Sequence, residues 1–141
     1  MAAEKVVIDA SVVAKWFLEE IFSEKALLLR DYYIGGEIEL ASPCIMPYEV
    51  LNALRYSGLY EKAALVGVVR SLEGYGIELW GLTRAFGQRV AEVAMELDIS
   101  VYDASYVALA ESTTACLVTA DEELVTKAKN LIKVKHVKAL E

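Results

Sequence analysis

Histidine is nearly absent from this chain. The single one, His136, stands near the C-terminus among lysines, where a surface position is expected. A lone histidine so placed argues against a Ser-His-Asp or Cys-His nucleophile system. Asn and Gln are also scarce, with only Asn52, Asn130 and Gln88, a composition that leans toward heat-tolerant proteins. The two cysteines, Cys44 and Cys116, lie far apart in apolar surroundings and form no metal-ligand spacing. They are expected as buried free thiols, a disulfide being the other reading. No glycine pattern of a phosphate-binding loop or of a dinucleotide-binding turn occurs. No apolar run approaches the roughly 20 residues of a membrane span, and no signal-peptide pattern opens the chain. These absences predict a soluble, cytoplasmic domain with no membrane contact.

What is present is apolar and acidic. Of 141 residues, 56% are hydrophobic, above the usual value of about 45–50%. The length suits one domain over residues 1–141, with no linker, repeat or low-complexity segment. The hydrophobic surplus suggests extra surface for a partner, a homodimer among them. The net charge of −7 argues against indiscriminate nucleic-acid binding. That charge is uneven, because five lysines and no acid occupy the stretch from Lys127 to Leu140.

Short apolar runs alternate with helical patterns. Strands are expected in "EKVVIDA", "IELASP", "IELWGL", "ACLVTA" and "KVKHV". Helices are expected at 11–20, in "SEKALLLRDYYIGG" stopping at Gly35-Gly36, in "MPYEVLNALRYSG" with Pro47 in its first turn and Gly58 after its end, in "LYEKAALVGVVRSLEGYG" ending near Gly74 and Gly76, in "TRAFGQRVAEVAMELDI" with Thr83 as N-cap, at 103–112 and in "DEELVTKAKN". The alternation predicts an α/β fold with a central parallel sheet and helices on both faces.

The tripeptide Asp-Ala-Ser occurs twice, at Asp9 and at Asp103. Asp9 ends the first strand, Asp103 opens a helix after "ISVY", and Asp121 follows "CLVTA". Three of five aspartates thus stand where they can converge beyond the carboxyl ends of the strands, the usual ligand edge of such sheets. Each could equally be a helix N-cap. Glu49 shares a helix face with Asn52 and Tyr56, which is either a solvated stripe or one wall of a cleft. Two unit charges about 5 Å apart cost roughly 3 kcal/mol at an effective dielectric near 20. A gathered set of four therefore needs retained protons or a hard cation, for which oxygen ligands suit Mg²⁺ or Mn²⁺. Such an ion can activate water toward a phosphodiester.

The segments "VVIDASVVAKWFLEE", "SPCIMPYEVLNAL", "VYDASYVALA" and "LVTADEEL" together resemble PIN-domain ribonucleases, in particular the VapC toxins of toxin–antitoxin pairs. The likeness spans nearly the whole chain. It implies a PIN-like α/β domain that binds Mg²⁺ or Mn²⁺ and cuts single-stranded RNA, with an antitoxin as protein partner. Carried over by motif, Asp9, Glu49 and Asp103 are the core acids and Asp121 the fourth. Ser11 and Thr119 match the small hydroxyl residues beside them, and Asn52 matches a frequent asparagine one turn from the glutamate.

Lys15, one turn from Ser11, and Arg55 could touch a phosphate, with a solvated side chain as the alternative for each. The lysines of 127–138 could bind RNA or an acidic antitoxin tail. Other functions compatible with the sequence are an RNA-maturation PIN nuclease without an antitoxin and a non-catalytic RNA-binding protein. A phosphoacceptor receiver domain fits less well, since the first acid stands alone in "VIDAS".

Overall fold

Val6, Val7 and Ile8 are buried in succession, as expected of a strand covered on both faces rather than one. They belong to β1 (Glu4–Ile8), the middle of a five-stranded sheet. The computed structural model describes residues 3–141. The other strands are β2 (Ile38–Pro43), β3 (Glu78–Trp80), β4 (Cys116–Thr119) and β5 (Val134–His136). Their order is β3-β2-β1-β4-β5, and every pairing is parallel. Seven helices are found among the described residues: α1 (Ala10–Val13), α2 (Ser23–Ile34), α3 (Met46–Tyr56), α4 (Lys62–Tyr75), α5 (Arg84–Leu97), α6 (Val101–Thr113) and α7 (Glu122–Ala128).

The expected α/β architecture is therefore present, and most element boundaries agree to within a few residues. The largest difference is the helix expected over 11–20. It stops after α1 and one 3-10 turn, Ala14–Trp16. The chain then loops to Phe22, whose φ of 65° is left-handed, before α2 starts. Ser23 stabilises that loop, its hydroxyl donating to the Leu18 carbonyl and accepting from the Glu20 amide.

Three side chains lie elsewhere than expected. Lys15 is buried, not poised for a phosphate: its ammonium donates to the Ile21 carbonyl at 2.8 Å and pairs with Glu20 at 3.1 Å. A buried ammonium needs such partners, and the turn at 17–22 supplies them. His136 is buried, not on the surface. Its Nε2 lies 3.0 Å from the Ala120 carbonyl and its Nδ1 accepts from the Lys138 amide, so Nε2 carries the proton. Cys116 is buried as expected, and burial pushes its thiol pKa up, but Cys44 is exposed and both are free.

The order of strands positions the site. Successive strands β1, β2 and β3 run to one edge, and the chain then crosses back to lay β4 on the other side of β1. The reversal opens a crevice beyond the carboxyl ends of β1 and β4, where ligands bind in open parallel sheets.

Candidate metal centre

Register brings the first acid into place. Ile8 pairs with Val118, and the Asp9 amide donates to the Val118 carbonyl at 3.1 Å, so Asp9 lies beside Thr119. Two hydroxyls then converge on one carboxylate oxygen. Ser11 Oγ donates to Asp9 Oδ2 at 2.8 Å and Thr119 Oγ1 donates to the same atom at 2.6 Å. Each hydroxyl also accepts an amide, Ser11 from Ala120 and Thr119 from Asp121. This closed circuit pins the β4–α7 turn to the end of β1 and leaves Asp9 Oδ1 without a side-chain donor among the described residues.

Asp9 does not cap α1 with its carboxylate. Asp103 is not a cap either: α6 begins at Val101, and the Ser100 hydroxyl accepts from the Asp103 amide at 3.0 Å. Only Asp121 caps, accepting from the Glu123 and Leu124 amides at the start of α7. Capping therefore accounts for one of the three aspartates and leaves two to be explained.

Glu49 is half-buried in the first turn of α3. Tyr106, fully buried on α6, donates its phenol to Glu49 Oε1 at 2.6 Å. Tyr106 lies three residues beyond Asp103, so the bond ties the acid of α3 to the helix that carries the acid of α6. Sequence reasoning missed Tyr106. The signal was available: a tyrosine leading into the apolar run "VALA" of α6 needs a partner for its hydroxyl.

The acids feel one another. Burial pushes the Asp9 pKa up, against the pull of the Thr119 and Ser11 hydroxyls. Burial also raises Glu49, with Asp9 and Asp103 adding to the rise and Tyr106 opposing it. Asp103 is raised by burial and then by Asp9 and Asp121. No cation relieves them. The ion pairs among the described residues engage Glu20, Asp31, Glu78, Glu92, Glu96, Glu111, Glu122 and Glu123, and none engages Asp9, Glu49, Asp103 or Asp121. An all-oxygen donor set with no ammonium or guanidinium ion pair among the described residues fits a hard divalent cation. No three His, Cys, Asp or Glu side chains among the described residues stand around a common point at ligand spacing. The carboxylates as they stand therefore do not form an ion's ligand shell.

Ser11 and Thr119 lie in the site as expected. Asn52 is exposed on the α3 face beside Glu49 and lines a cleft with it. Lys15 is not part of this set. Arg55 lies over the Tyr56 ring at 5.1 Å.

A parallel α/β domain with acids near one another at its strand reversal is the class defined so far. The family model of the PIN domain matches residues 6–130, a span containing all four acids, and the chain belongs to the PIN domain family. Ribonuclease VapC3 of Pyrobaculum aerophilum is 33% identical over 138 residues, covering 91% of this chain and 98% of that protein. The crystal structure of PAE2754 from the same organism superposes with a TM-score of 0.66 at 27% identity, over 98% of this chain and 92% of that one. VapBC2 from Rickettsia felis, bound to a DNA fragment from their promoter, shares the fold with a TM-score of 0.69 at 14% identity, over 94% of this chain and 98% of that one.

Proposed function

We propose that this PIN domain is an endoribonuclease that cuts single-stranded RNA with Mg²⁺ or Mn²⁺ and serves as the toxin of a VapBC-type toxin–antitoxin pair. The observation that carries the reading is the set of four acids near one sheet edge, none of them in an ion pair among the described residues. Asp9, Glu49, Asp103 and Asp121 would hold the ion, which when bound supplies an activated water and offsets charge on the phosphodiester. The protein's own residues prepare the ligands. Ser11 and Thr119 fix the rotamer of Asp9 from one side, Tyr106 fixes Glu49, and the Asp121 cap leaves its Oδ2 free of amides. The relative named as a ribonuclease supports the chemistry, and the VapBC neighbour supports an antitoxin as partner. Among the described residues no helix is long and apolar enough to cross a membrane.

The test is cleavage of mixed cellular RNA by metal-free protein, with Mn²⁺ and with excess EDTA, read by sequencing the new 5′ ends. Defined ends in Mn²⁺ alone are expected. Asp9→Asn, Glu49→Gln and Asp103→Asn each nearly abolish them, and Asp121→Asn gives an equal or milder loss. Undiminished cleavage in EDTA refutes the metal role.

A further inference from the structure

Two tyrosines stand next to the acids in sequence and point into water. Tyr48 precedes Glu49 on α3, and Tyr102 precedes Asp103 on α6. They are 72% and 59% exposed. Single exposed apolar residues are ordinary on protein surfaces. Here two rings from different helices share one cleft of about 420 Å³, lined by Ile45, Tyr48, Glu49, Asn52 and Tyr102. That volume lies within the range of about 300–1,000 Å³ typical of ligand sites.

The composition of the cleft limits what it can take. Its lining holds no lysine or arginine, so phosphate pairing cannot supply affinity there. Lys15 is buried against Glu20 and Ile21, and Arg55 covers Tyr56. Two open aromatic faces remain. Neither ring packs against another aromatic among the described residues, whose close ring pairs are Trp16–Tyr75, Phe22–His136 and Trp80–Phe86. Open rings accept the flat face of an unpaired base whatever its identity, while a duplex hides those faces in its own stack.

We infer that Tyr48 and Tyr102 form a base-stacking subsite, which holds an unpaired nucleotide of RNA beside Glu49 and Asp103. The inference rests on the ribonuclease reading and states how that site grips a single strand despite the acidic net charge. It also accounts for selectivity against duplex without a basic groove.

The experiment uses an Asp9→Asn background, which removes an acid outside this cleft, and a short fluorescein-labelled single-stranded RNA of randomised sequence in Mn²⁺. A duplex of equal length is the comparison. Fluorescence anisotropy is expected to show about 5- to 100-fold weaker binding for Tyr48→Ala or Tyr102→Ala, and full affinity for the corresponding Trp variants. The salt slope should be the same for the alanine variants as for the background, since neither ring pairs with a phosphate. Melting temperatures should stay near that of the background, since both side chains are exposed. Alanine variants that bind as tightly as the background overturn the subsite, as does an alanine variant whose salt slope is shallower than the background's. If the alanine variants become monomeric in light scattering while RNA affinity holds, the rings pack against a second copy and the inference is wrong. If neither the background nor the parent protein with Asp9 intact binds single-stranded RNA, the ribonuclease reading fails, and the subsite with it.

Discussion

Tyr106→Phe removes one hydroxyl and nothing else. The residue is fully buried, so the Phe ring refills the same space and leaves no cavity of consequence. What disappears is the 2.6 Å bond to Glu49 Oε1. A hydrogen bond to a charged group contributes about 1.5–3 kcal/mol. Glu49 borders an open cleft, where water replaces part of the lost donor, so the loss falls to or just below the lower end of that range, about 1–1.5 kcal/mol. The loss falls on the ionised form of Glu49, whose pKa burial, Asp9 and Asp103 already hold above the usual carboxylate range. Without the phenol it rises further, and a carboxylate that keeps its proton is a poor ligand. At 1.4 kcal/mol per tenfold, Mn²⁺ should bind about 5- to 10-fold more weakly near neutral pH. The deficit should widen as pH falls toward the raised Glu49 value and shrink as pH rises. Titration calorimetry with Mn²⁺ at two pH values measures both effects without any RNA. Affinity within twofold of the parent at both would show that the phenol only fills space and that Glu49 needs no orientation.

Asp103→Asn tests the repulsion. Ser100, not Asp103, caps α6, so the change spares the cap and removes a charge that Asp9 and Asp121 oppose. A carboxyl whose folded pKa exceeds its unfolded value binds its proton more tightly in the native state. Unfolding then releases protons, and metal-free stability falls as pH rises through the window between the two values. The variant should flatten that fall, gaining on the order of 1 kcal/mol at neutral pH, and should gain less melting temperature than the parent when Mn²⁺ is added. Equal Mn²⁺-induced shifts in the two proteins would remove Asp103 from the ion's shell. A homodimer is expected from Val66, Val69 and Leu79, which are 62%, 49% and 43% exposed on α4 and β3. Light scattering should give about twice 15.5 kDa at micromolar concentration, and a mass of 15.5 kDa contradicts it.

The edge positions of Asp9 and Asp121 were legible because they follow from chain order, whereas Glu49 joined them only through the family likeness. A strand pattern ending in Asp9, and another ending just before Asp121, put carboxylates at the same edge of any parallel sheet. The tertiary partners were not legible. Lys15 reads as a surface lysine unless one knows that the chain turns back at 17–22 and offers the Ile21 carbonyl, and that turn depends on a left-handed Phe22. His136 was misplaced although its signal was present. In "KVKHV" the lysines at 133 and 135 face water, so the period of two puts His136 inward with Val134. Tyr106 and the hydroxyl circuit around Asp9 depend on contacts 57 and 110 residues apart, which spacing within one element does not reveal.

That last separation bears on when the protein becomes competent during its own synthesis. A nascent chain translated as far as Ala110 already carries Asp9, Glu49 and Asp103. It lacks the strand that seats β1 on its second side and the Thr119 hydroxyl that orients Asp9. Such long-range parallel pairings form late and slowly, because the loop between them must close first. The crevice therefore cannot assemble on a ribosome-bound chain until β4 has cleared the exit tunnel. A prematurely terminated product of this gene is then an open-edged fragment, prone to aggregation and without a formed acid cluster.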